Sequence, residues 1–158
     1  MNSRVIRKDL TEIDGHALMN LSGEYVAKLK RRAVSFLKEA EEAVDPDLAA
    51  FFAEQSMQLY LKAVLYELFR EVVRDHRLRA FLGLLSRGLE RNSYSELAVE
   101  VRGFVDQHRR ELVLAEEAYI GGRYGDLSYS RDDVGSLINV ARDLKMLLDE
   151  VVKGVKLG

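Results

Sequence analysis

The sequence predicts an all-α protein, an antiparallel up-and-down bundle of four to five helices. Three observations carry that prediction. Along the 158 residues no segment alternates with the two-residue period of a strand, while several repeat their apolar positions at helical spacing. One stretch, from Asp45 to Val73, is apolar on nearly every side, the mark of a helix buried among its neighbours. The connections between the periodic segments are short, which places successive helices side by side and antiparallel.

Residues 1–20 mix charges without a sustained period and contain an Asp14-Gly15 turn signal. They are expected to form an arm, packed on the bundle or on a partner chain, ahead of a single helical-bundle domain spanning residues 21–158. The first helix is expected from Ser22 as N-cap, with Tyr25 or Val26, Leu29, Ala33, Phe36 or Leu37, Ala40 and Val44 on its apolar face. It ends before Pro46, because a residue preceding proline avoids the α region. The same dipeptide opens the central helix, with Asp45 as N-cap and Pro46 in the first position. A third helix carries Leu78, Phe81, Leu82, Leu85 and Leu89. Ser93 and Glu96 have the spacing of a capping box and open a fourth, which runs as one element through Val101, Phe104, His108 and Leu112 to a stop at Gly121-Gly122. After the loop GGRYGDLSYS, Ser130 with Asp132 and Asp133 begins the last helix.

A single domain of this length buries roughly 70% of its unfolded surface without disulfide or metal staples. Apolar residues make up 47% and charged residues 32%, an ordinary globular balance. The net charge of −2 gives no overall case for nucleic-acid binding. With no cysteine, disulfides, thiolate metal sites and thiol nucleophiles are excluded. The three histidines (His16, His76 and His108) lack ligand spacing, so no metal site is expected. No stretch of 18 apolar residues exists, and the N-terminal sequence lacks the apolar core of a signal peptide. A cytoplasmic location is expected. Many charges, no cysteine and one proline also suit a thermophile.

Three places have the residue types for chemistry. On the central helix Gln55, Gln58 and Lys62 fall within about 60° of one another and form one narrow polar seam. In the loop around Arg123-Tyr124-Gly125-Asp126, arginine offers a planar fork for phosphate and tyrosine a ring for stacking on a base. The bland alternative is an arginine capping a helix and a tyrosine plugging the end of the bundle. Arginines 70, 74, 77, 79, 87 and 91 crowd the end of the central helix and the third helix. Interleaved Glu67, Glu71, Asp75 and Glu90 make a salt-bridged face the competing reading.

The order of these features resembles the HEPN family (higher eukaryotes and prokaryotes nucleotide-binding domain). Four matches carry the resemblance: the run Ala33 to Ala43, Gln55 followed by Leu61-Lys62-Ala63, His76 with Leu78, and Arg123-Tyr124 ahead of Asp126. They span roughly residues 21–152. The chain departs from the family's pattern at Gln58-Leu59, where Glu-Lys is usual, and at Gly125, where proline is usual. The resemblance implies a compact helical bundle, usually homodimeric, that often works beside a small nucleotidyltransferase in toxin–antitoxin pairs. Some members are ribonucleases, and others bind nucleotide or RNA.

The ribonucleases of the family share an arginine followed, after four to six residues, by a histidine. Arg102 and His108 fit that spacing. On one continuous helix, however, residues six apart point about 120° apart, and Gly103 and Arg110 stand where the ribonucleases carry a polar residue and a tyrosine. The expectation is therefore a nucleotide- or RNA-binding homodimer without a well-formed catalytic site and without a resident cofactor. Lys62 and Arg123 would meet phosphate, Tyr124 would stack, and Gln55 and Gln58 would face the twin subunit. Two alternatives remain: a metal-independent ribonuclease using Arg102 and His108, and an assembly module whose polar seam fixes helix register.

Overall fold

The computed structural model describes the backbone of residues 15–124 and 128–158, and the side chains of residues 21–121 and 128–158. Among the described residues every element is helical: α1 (Gly15–Glu42), α2 (Pro46–Phe69), α3 (Leu78–Arg91), α4 (Ser95–Gln107), α5 (Arg109–Tyr124) and α6 (Arg131–Leu157). No described helix is long and apolar enough to cross a membrane.

Where the signals are local, the helices begin as the sequence predicts. Asp45 caps α2 by accepting the backbone N–H of Asp47 at 2.9 Å, and Pro46 follows in the first turn. Ser130 and Asp133 form a reciprocal capping box at the head of α6. Four other expectations are corrected. Helix α1 reaches back to Gly15, so Ser22 is interior to it and its Oγ lies 3.4 Å from the Tyr66 hydroxyl. Because α1 ends at Glu42, Val44 leaves the apolar face and is 83% exposed. Ser93 does not cap α4: it takes a left-handed φ of 68°, and Tyr94 stands at the cap without a side-chain bond. The predicted fourth helix is two, broken at His108, and Gly121-Gly122 lies inside α5. That break gives six helices among the described residues, where four to five were expected. It falls in the polar run Gln107 to Arg110, where only His108 has an aromatic contact with the core side, its ring 4.5 Å from that of Phe104.

Helix α2 is the hub. It packs against α1, α6, α5 and α3, and its Leu61 and Leu65 are fully buried with Phe81, Leu85, Leu112, Leu144 and Leu148. Such side chains contribute about 1.5–3 kcal/mol each relative to exposure, so this core dominates the stability. The neighbours do not close around it completely. Leu48 is 43% exposed, and Phe51, Phe52, Gln55, Leu59, Lys62 and Tyr66 remain half-buried along the same stripe. An apolar helix with one uncovered apolar stripe invites another surface.

Candidate functional site

The central helix carries a buried acid that the polar seam alone did not reveal. Glu54 has no exposed surface, and its carboxylate accepts the side-chain amides of Gln55 at 2.7 Å and Gln58 at 2.8 Å. Gln55 and Gln58 therefore turn toward a carboxylate of their own helix. Burial pushes the Glu54 carboxyl up from 4.5 to about 7, against the stabilising amides and the charge of Lys62, while the nearby Glu116 raises it further. The clue in the sequence was an acid four residues before Gln58, hence on the same side of the helix. Lys62, one turn beyond Gln58, is half-buried with its ammonium 5.9 Å from the centre of the Phe81 ring.

Glu116 extends this network to α5 and α3. It is buried and takes the Arg79 guanidinium at 2.7 and 3.5 Å, a fork-like pairing. The pair forms one wall of a cleft of about 270 Å³ at the head of α3. His76 and Arg77 border the same cleft, and the His76 ring stacks on Tyr119 of α5 with centroids 4.7 Å apart. Asp75 fixes this entrance. It receives the Arg77 guanidinium at 2.8 Å and the backbone N–H groups of His76 and Arg77 at 2.7 and 2.9 Å. The Arg77 bonds, side chain first, hold the Asp75 carboxyl well below the usual range. Arg79 also borders a second cleft, of about 280 Å³ between α3 and α4, together with Arg102 and Arg109.

Arg102 and His108 do not share partners. Arg102 pairs with Glu90 at 2.9 Å on the exposed side of α4, whereas the His108 ring rests on Phe104. The break between α4 and α5 removes the continuous-helix argument, since the two residues no longer belong to one regular helix. The backbone of Arg123 and Tyr124 forms the last turn of α5, one turn beyond the cleft residue Ile120. Their side chains, and Gly125 and Asp126, lie outside the described residues. Beyond that loop Tyr129 anchors the chain: its N–H donates to Asp47 at 2.8 Å and its hydroxyl to the Leu114 carbonyl at 3.2 Å. Among the described residues no group of three or more His, Asp or Glu has the geometry to hold a metal ion.

A family model for the HEPN domain matches residues 26–151, most of the chain. The chain belongs to the HEPN family. Among curated proteins none matches it. The matched span of this HEPN chain includes the Glu54 network, the His76 cleft, the Arg102 and His108 positions and the end of α5. At 58 and 59, where Glu-Lys is usual in the family, a carboxylate is still present one turn earlier, as Glu54 bonded to Gln58.

Proposed function

We propose that this HEPN chain binds nucleotide or RNA as a homodimer, beside a small nucleotidyltransferase in a toxin–antitoxin or defence setting. The observation that carries the binding reading is the cleft at the head of α3. There a stacked His76–Tyr119 pair and the guanidinium groups of Arg77 and Arg79 adjoin the helix end that leads into Arg123 and Tyr124. Arginine forks suit phosphate oxygens, and flat rings suit the face of a base. Lys62 would supply a further cation for phosphate; its ammonium stands over the Phe81 ring and its charge reaches Glu54.

The open stripe of α2 supports the homodimer. Its N-terminal end is acidic, with Asp45 and Asp47, and its C-terminal end carries Lys62 and Arg70. Two copies crossing antiparallel about a twofold axis near Gln55 and Leu59 would cover both apolar stripes and bring opposite charges together.

Titration of ATP and of a short single-stranded RNA into the wild type and Arg123→Ala tests the binding site. The variant should bind at least about tenfold more weakly, the loss expected from a charge-assisted phosphate contact of 1.5 kcal/mol or more. Identical curves would remove the site, and no binding by either protein would make an assembly module the better reading. The break at His108 favours one competitor, a ribonuclease in which a second subunit completes the Arg102–His108 pair. Metal-free RNA cleavage lost in His108→Ala would establish it over the binding reading.

A further inference from the structure

On the side of α2 away from the His76 cleft, α1 and α6 run antiparallel but scarcely touch. Two ion-pair straps hold them apart at a fixed width. One joins Glu41 of α1 to Arg142 of α6 at 2.8 Å. The other runs from Lys30 of α1 through Glu67 of α2 to Lys156 of α6, at 2.8 and 3.0 Å. Between the straps lies an open basin of about 500 Å³. On α1 its lining runs from Lys30 to Ser35, about 8 Å along the helix.

The floor of the basin is Tyr60, only 6% exposed. Its hydroxyl is bound to Asp149, and the ammonium groups of Lys30 and Lys145 each stand 5.6 Å from its ring centre. Three cations, Lys30, Arg31 and Lys145, line the basin, and among the described residues their carboxylate partners are Glu67 for Lys30 and Asp149 for Lys145. Both carboxylates are already engaged. Each Glu67 oxygen holds one lysine, and the Asp149 oxygens hold Tyr60 and Lys145. The lysines are not exhausted, because an ammonium has three N–H donors and each carboxylate contact takes one. Among the described residues no carboxylate pairs with Arg31. Ser35 borders the basin one helical turn beyond it.

We propose that this basin is an anion site, built for the terminal phosphate of a small phosphoester. Three cations against two carboxylates leave one positive charge in surplus, that of Arg31, to meet an anion. Arg31 supplies a planar fork, Lys145 a mobile ammonium and Ser35 a hydroxyl, and exposed Val34 beside them receives the apolar part of the ester. On α1 the lining covers only Lys30 to Ser35, which suits a single terminal phosphate rather than the successive phosphates of a nucleic-acid backbone. The site is independent of the His76 cleft and does not rest on the binding reading given above.

The test is calorimetric titration of inorganic phosphate and of phenyl phosphate into the full chain at constant ionic strength. The variants are Arg31→Gln, Lys145→Gln, Arg79→Ala and the control Lys38→Gln, an exposed α1 lysine outside the basin. Saturable binding weakened at least tenfold in Arg31→Gln and Lys145→Gln, and unchanged in Lys38→Gln, is expected. Phenyl phosphate should bind more tightly than inorganic phosphate. No saturable binding, or equal losses in Lys38→Gln and Arg31→Gln, would overturn the proposal. Loss confined to Arg79→Ala would also overturn it, since the phosphate would then sit in the other cleft.

Discussion

Replacing Glu54 with glutamine should stabilise the protein at pH 8 and leave it nearly unchanged at pH 5. The carboxyl is fully buried and raised from 4.5 to about 7, with burial as the leading cause. The folded state therefore holds this proton more tightly than the unfolded chain does. Between pH 4.5 and 7 the folded state keeps a proton the unfolded state has released, so wild-type stability falls as pH rises, by about 1.4 kcal/mol per pH unit. Below 4.5 both states are protonated and Glu54 contributes nothing to the slope. Above 7 the full cost is present, about 3 kcal/mol over that interval. Glutamine cannot ionise. Its carbonyl accepts one neighbouring amide and its own N–H₂ meets the other once that amide turns over. Urea unfolding of both proteins at pH 5, 6, 7 and 8, at one protomer concentration, measures the difference directly. The gap should open from under about 1 kcal/mol at pH 5 to about 3 kcal/mol at pH 8, and titrations of other groups cancel in it. Parallel stability profiles, or a wild type that gains on the variant as pH rises, would refute the reasoning.

Two further predictions concern helix ends and interiors. Ser130→Ala removes one half of the capping box at α6, the 3.0 Å bond from the Asp133 N–H, and should cost about 1 kcal/mol. Ser130→Asp should recover most of that loss in the same thermal melt. Gly103→Ala adds a methyl group inside α4 where nothing lies within 4 Å. It should stabilise by about 0.5–1 kcal/mol, seen as a rise of about 1–4 °C in Tm, and a fall would mean that α4 is not helical at this position.

The parts of the fold that were legible in the sequence are those set by neighbours along the chain. Asp45 and Pro46 start α2 because a cap and a fixed φ act within one turn. Ser130 and Asp133 start α6 for the same reason. The apolar mass of α2 foretold its place at the centre. Ser93 and Glu96 had equally good capping spacing, yet the turn between α3 and α4 puts Ser93 in a left-handed conformation. A cap that depends on backbone geometry then cannot form. Likewise, the apolar period running through His108 continues on either side of the break, so periodicity alone could not place it.

The candidate sites divide in the same way. Sequence singled out Gln55, Gln58 and Lys62 as a polar line, but only tertiary structure decided what Gln55 and Gln58 bind. Packing α3 and α5 against α2 excludes water from Glu54, and a buried carboxylate must then draw the nearest donors to itself. The same packing brings Arg79 and Glu116, 37 residues apart in the chain, into one ion pair beside the cleft. The α1–α6 basin is more distant still from any local pattern. Its straps join residues up to 101 positions apart, because charges pair across space once the hydrophobic core has fixed the helix axes. The one-dimensional pattern thus determined which segments are helices and which of them is central. The three-dimensional packing decided which polar groups lose water, and so which of them acquire partners, shifted proton affinity and a cleft.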